Sequence, residues 1–202
     1  MFIFCLCERF KFNPKESHFT VAKQILKYLK DTTSVGLWYS SHSSINLVGY
    51  SDSDFVGCKL HRKSTSGTCH LLGSSLISWH NKKQACVALS TAEAEYIVVG
   101  SCCAKILWIK QQLEDFGVKL RNVPLLCDNI SAINLTKNQI QHSRPKYIEI
   151  QHHFIGDHVS NSDCDIQFQF VETKKQLADI FTKPLSRERF NILCNELGIL
   201  DL

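Results

Sequence analysis

Long hydrophobic runs are missing from this sequence. Nowhere in its 202 residues is there a stretch near the roughly 18 consecutive apolar residues a membrane helix needs, so no membrane partner is expected. No secretory leader is expected either. The opening "MFIFCLC" has no basic residues before it, runs at once into Glu8 and Arg9, and offers no small-residue cleavage site. Charge of one sign is scarce: 23 Lys and Arg against 19 Asp and Glu leave a net +4. That balance permits nucleic-acid binding without arguing for it. Internal repeats and low-complexity tracts are also absent.

Cysteine, by contrast, is plentiful, with ten residues. Without a leader these are expected as free thiols in a reducing, intracellular setting, most of them acting as small buried hydrophobes. Cys5-x-Cys7 and the adjacent Cys102-Cys103 do not match the spacing of tetrahedral zinc sites.

Hydrophobic periodicity divides the chain. Residues 15–30, with Phe19, Val21, Ile25, Leu26 and Leu29, read as a helix, and a short strand follows to about residue 40. The serine-rich "SSHSS" marks a boundary. Beyond it come a strand at 46–52, a polar basic loop "GCKLHRKSTSG", and strands near 67–72 and 75–80, together an antiparallel meander. A long helix opens at Ser90 and Glu93 in a capping box and closes at Gly117. "VPLLCD" reads as a buried strand, followed by a helix from about 130, another in "EIQHHFIGDHV", and a fifth strand at 166–171. Thr173 and Gln176 read as a second capping box, opening a helix over "KKQLADIFTK".

Four acids occupy awkward positions in this pattern. Asp52 ends the first of these strands on the parity of Val48 and Tyr50, and Glu95 lies within the long helix's apolar stripe. Asp128 ends the "PLLC" strand, and Asp179 stands between Leu177 and Ile180. Each has an ordinary alternative. Asp128 could N-cap the next helix, Asp52 or Asp54 could sit in a turn, and Asp179 could be a solvated first-turn acid. Glu93 already has the capping box to explain it, whereas Glu95 does not. Brought together, the four would repel one another unless divalent cations intervened. Carboxylates without His or Cys partners point to Mg²⁺ or Mn²⁺.

"LVGYSDSDFVGCKLHRKSTSG", "ISWHNKKQ", "VALSTAEAEY", "LLCDNISAI" and "QLADIFTKPL", in that order, closely resemble the ribonuclease H domain of copia-type long-terminal-repeat retrotransposon Pol polyproteins. The stretch before residue 45 resembles the end of the reverse transcriptase region that precedes this domain. The resemblance implies an α/β (mixed α+β) fold of ribonuclease H type, a central mixed five-stranded sheet flanked by helices. It implies a domain at 45–185, between a reverse transcriptase remnant at 1–44 and a helical tail at 186–202. The family's acidic set maps onto Asp52, Glu95, Asp128 and Asp179 as catalytic residues and metal ligands, with Asp54 as fallback for Asp52. They would hold two Mg²⁺ ions, or Mn²⁺, for two-metal hydrolysis of the RNA strand of an RNA–DNA hybrid.

Arg62, Lys63, Ser64 and Thr65 combine cationic and hydroxyl groups suited to phosphate contacts. Lys59, Lys82, Lys83, Arg144, Lys146, Lys174 and Lys175 add scattered positive charge, while Trp79 and Trp108 read as core. Expected partners are the hybrid and the rest of the polyprotein, in a cytoplasmic particle or the nucleus. His61, Pro145, Tyr147, Gly156 and the "TKK" of 173–175 depart from the family's usual pattern. With no polymerase active-site motif present, they support the alternative of a catalytically inactive nucleic-acid-binding remnant of a truncated element, while the apolar face of 19–39 supports a third reading, a fragment unable to fold alone.

Overall fold

The computed structural model describes residues 7–8, 10–41, 44–58, 61–137, 155 and 165–201. The helix expected in "EIQHHFIGDHV" lies outside them except for Ile155, as do Lys59, Arg144, Pro145, Lys146, Tyr147 and Gly156. The chain forms two compact units, residues 1–37 with 199–202, and 38–198. Among the described residues no helix is long and apolar enough to cross a membrane.

In the smaller unit, α1 (Glu16–Asp31) starts where the backbone N–H of Lys15 donates to His18 Nδ1 at 3.0 Å. Its apolar residues are spaced for packing, yet none is buried; Phe19, Leu26 and Leu29 are all more than half exposed. Strand β1 (Val35–Leu37) pairs antiparallel with β7 (Ile199–Asp201).

The larger unit is built on β2 (Leu47–Cys58), β3 (Lys63–Leu72), β4 (Ser75–Lys83), β5 (Val123–Cys127) and β6 (Ile166–Phe170), in spatial order β4-β3-β2-β5-β6. The β2–β3–β4 meander is antiparallel, and β5 and β6 run parallel to β2. The expected mixed five-stranded sheet is therefore present. Parallel neighbours need crossover connections, supplied by α2 (Thr91–Asp115) and α3 (Ile130–Lys137). Helix α4 (Arg187–Glu196) follows two 3₁₀ turns, Thr173–Lys175 and Leu177–Phe181.

Alternation along β2 assigns its two faces. Leu47, Gly49 and Ser51 are buried, and a Cβ on Gly49 would lie 2.7 Å from Ile106 Cδ1, so the missing side chain is what gives Ile106 of α2 its place against the strand. Tyr96, Val99, Cys102 and Ile106 of α2 meet Leu125 and Ile166 of the sheet in a continuous core. Full burial of a side chain such as Ile106 contributes roughly 1.5–3 kcal/mol. His70, buried against Cys102 Sγ at 3.4 Å, is pushed down to about 4 by that burial and stays neutral.

Several local expectations need correction. Strand β2 continues past Asp52 to Cys58 and β3 begins at Lys63, so most of the expected basic loop is strand. The extra pairs Asp54↔Thr65 and Cys58↔Lys63 hold this extension across an irregularity at residues 54–58, where Val56 takes φ 57°. The helix expected over "KKQLADIFTK" is broken into the two 3₁₀ turns, because Gln176 between them is extended, with φ −76° and ψ 105°. Trp79 and Trp108 are about half exposed instead of lying in the core. Trp79 stands on the edge strand β4, and Trp108 faces outward from α2 under the ammonium of Lys105.

Candidate active site

Asp52 lies on the parity of β2 that faces away from Gly49, directly across from Gly67 of β3. A Cβ on Gly67 would come within 2.5 Å of Thr182 Cγ2 and 2.9 Å of the Ala178 carbonyl. The missing side chain is thus what allows the second 3₁₀ turn to sit on the sheet beside Asp52. Thr182 Oγ1 donates to Asp52 Oδ2 at 2.6 Å. The turn itself is held by Gln176, which is fully buried: its Nε2 donates to the Ser51 carbonyl at 2.9 Å, and its Oε1 accepts from Ala178 N–H at 3.2 Å. From α4, Arg189 donates to the carbonyls of Thr173, Lys174 and Gln176. These bonds present Asp179, which is buried, with Lys183 Nζ 2.5 Å from its Oδ1.

Glu95 comes from the first turns of α2. The N-terminus of that helix is arranged so that Ser90 Oγ accepts from Glu93 N–H and Glu93 Oε2 accepts from Leu89 N–H. Glu93 is therefore occupied with capping, and Glu95 is left to point at the sheet. Its Oε1 accepts from both the backbone N–H and the hydroxyl of Ser53, at 2.9 and 3.0 Å. Asp128 follows β5 directly. It does not cap α3, because Asn129 Oδ1 takes that role by accepting from Ala132 N–H at 3.0 Å. Glu95, Cys127 and Asp128 each offer a ligand atom, and these atoms lie within 4.8 Å of one another.

Electrostatics tie the four acids into one cluster. Burial raises Asp52 to about 6, with Asp128 and Asp179 adding to the rise and Thr182 and Lys183 opposing it. Burial raises Glu95 to about 8, with Asp52 and Asp128 adding and Ser53 opposing. Both shifts reflect carboxylates held away from water beside other carboxylates. Asp54, opposite Thr65, is raised less, by burial and Asp179, and Glu95 and Asp128 are not among the charges acting on it. Asp128 and Asp179 act on Asp52, and Asp52 in turn acts on Glu95, which links it to the other three acids. The Cys127 thiol is pushed up to about 12, chiefly by burial, and stays protonated, so the available donors are carboxylate oxygens.

The phosphate-contact candidates fare differently from one another. Arg62 is exposed at a turn with φ 50°. The Lys63 ammonium donates to the Ala85 carbonyl at 2.5 Å, and Ser64 is buried with its hydroxyl accepting from Val56 N–H. Thr65 is half-buried. Reading the sequence alone did not single out Thr182, Lys183 or Ser53, and gave Gln176 only a capping role with Thr173 in place of its bonds to Ser51 and Ala178. Thr182 and Lys183 stand three and four residues after Asp179, the spacing at which side chains meet on a helical turn, and that was the available signal.

No family model matches the chain. Curated relatives do. The Pol polyprotein from transposon TNT 1-94 of Nicotiana tabacum is 38% identical over 189 residues, covering 94% of this chain and 14% of the relative. The Pol polyprotein from transposon RE1 of Arabidopsis thaliana is 38% identical over 192 residues, covering 95% of this chain and 13% of the relative. This chain belongs to the copia-type retrotransposon Pol polyproteins. It spans about one seventh of the length of those relatives. Among solved structures, LC11-RNase H1, isolated from compost by a metagenomic approach, superposes with a TM-score of 0.50 at 12% identity, over 73% of this chain and 97% of that one. At that identity the likeness concerns the fold, which is of ribonuclease H type.

Proposed function

We propose that this segment of a copia-type Pol polyprotein is a ribonuclease H-type endonuclease that hydrolyses the RNA strand of RNA–DNA hybrids. Asp52, Glu95, Asp128 and Asp179 would serve as its metal ligands. The observation that supports the reading most directly is the gathering of these four acids, remote in sequence, into one partly buried cluster whose charge Lys183 only partly offsets. Uncompensated buried carboxylates are costly unless a cation completes the site. The donor set fits Mg²⁺ or Mn²⁺: hard oxygens, with the one nearby sulfur protonated. Two such ions would lower the pKa of an attacking water and neutralise charge developing on the leaving 3′ oxygen.

The chain's own groups would do the positioning. Ser53 fixes one Glu95 oxygen by two hydrogen bonds and leaves the other facing Asp128 and Cys127. Thr182 fixes Asp52, and Gln176 with Arg189 holds the turn that offers Asp179. Arg62, exposed beyond the end of β2, is available for a backbone phosphate. Recognition of 2′-hydroxyls across a hybrid's wide minor groove would separate RNA from DNA. The natural partner would be the remainder of the polyprotein, working inside the cell.

Cleavage of a labelled RNA–DNA hybrid by the purified chain in Mg²⁺ tests this. Asp128→Asn is expected to reduce cleavage on the order of 10²–10³-fold, the loss typical of removing one preorganised electrostatic group. Salt-dependent hybrid binding without metal-dependent cleavage would instead support a non-catalytic binder.

A further inference from the structure

We propose that Lys183 is an internal counter-ion of the carboxylate cluster: in the metal-free chain its ammonium occupies part of the cation site, and it withdraws when a divalent ion binds. The lysine then sets how much divalent ion the site requires. The inference rests on the metal reading above and adds a competitor to it.

Three observations support it. First, the ammonium contacts Asp179 at 2.5 Å, and the charges of Asp52 and Asp54 also act on it. Second, the two partners differ in freedom. The Lys183 side chain is 40% exposed and the Asp179 side chain only 7%. The carboxylate is held by the turn, whereas the ammonium, on a flexible four-carbon stem, can move to solvent without disturbing packing. Third, its influence is one-sided. Its ammonium pairs with Asp179, whereas Glu95 is held by Ser53 and lies with Cys127 and Asp128. The ligand atoms of Glu95 and Asp128 lie together, while Asp179 is already matched by the ammonium.

A divalent ion entering beside Asp52 and Asp179 would meet a like charge in close range. The tethered ammonium is the group able to yield. Binding would then require breaking an ion pair whose lysine is 40% exposed, an interaction of modest strength.

The test compares the wild-type chain with Lys183→Met and Lys183→Arg, using calorimetric titration with Mn²⁺ and thermal melting with and without Mn²⁺. Lys183→Met is expected to bind Mn²⁺ roughly fivefold more tightly. It should melt below wild type without metal and recover most of that difference once Mn²⁺ is added. Lys183→Arg, which keeps the charge, should bind as wild type does. Unchanged or weaker Mn²⁺ binding by Lys183→Met would overturn the proposal. So would an equal loss of Tm with and without metal, the mark of a merely structural ion pair. Binding by Lys183→Met alone, with none by wild type, would support the competition. If neither chain binds, the metal reading of the site fails and the counter-ion role goes with it.

Discussion

Around Cys102–Ile109, α2 presses sulfur and aliphatic groups onto β2 and β5; around Glu93–Tyr96, the same helix places a carboxylate against the same sheet. Burial is nearly equal in the two places: Ile106 is 0% exposed and Glu95 5%. The energetics are opposite. Ile106 stabilises the fold under any condition that keeps water out of the core. Glu95 opposes folding whenever it is charged, because it is dehydrated beside Asp52 and Asp128. One helix thus contains both a stabilising element and a deliberately unfavourable one. The packed half supplies the surplus that lets the acidic half persist.

The largest change in stability is expected in the packed half. Ile106→Ala removes a side chain that fills the space above Gly49 and should destabilise by about 2–5 kcal/mol. Thermal or denaturant unfolding would measure the loss, and it should be the same with and without Mg²⁺. A loss that Mg²⁺ erased would show that the two halves of the helix are not energetically separate.

How far the sequence discloses this contrast depends on the range of the forces involved. Glu95 stands out because a local rule, the capping box, accounts for Glu93 and leaves its neighbour unexplained; Glu93 does bond at the helix start, to Leu89 N–H. Alternation and turn residues place the meander, and ordered motifs place the parallel strands. The same local rule misleads at Thr173–Gln176. There the Gln176 side chain bonds the Ser51 carbonyl, 125 residues away in sequence, and the expected helix gives way to two 3₁₀ turns. No nearby residue announces that contact. The length of β2 is hidden for a related reason, since its extension depends on what β3 offers as a partner. Trp79 and Trp108 show the limit of composition, because large apolar residues also stand on edge strands and outward helix faces.

The acidic half can be probed with pH. Glu95 keeps its proton up to about 8 in the folded chain, against roughly 4.3 when unfolded. Between those values the folded state binds more protons than the unfolded state. Stability of the metal-free protein should therefore fall as pH rises through that window and be lowest above about 8. Asp52, raised to about 6, adds to the trend over the lower part of the window. The combined change should amount to a few kcal/mol. Melting curves from pH 5 to 9 in chelator would show it. Glu95→Gln should flatten the profile and raise Tm at the alkaline end. A stability that rose with pH over this range would contradict the burial argument.

A smaller effect should come from the link between the two halves. Gln176→Leu preserves approximate volume but leaves the Ser51 carbonyl and the Ala178 N–H without their partner inside the protein. Leaving such buried groups unpaired costs about 1–3 kcal/mol. The turn that offers Asp179 and Thr182 would then be positioned by Arg189 and packing alone. Hybrid cleavage should drop about 10–100-fold, as expected when a residue supporting metal ligands is lost, with the change concentrated in the Mg²⁺ concentration giving half-maximal rate. If Gln176→Leu lowered Tm yet left that Mg²⁺ dependence untouched, Gln176 would be supporting the fold alone, and the geometry of Asp179 would have to be set from the α4 side.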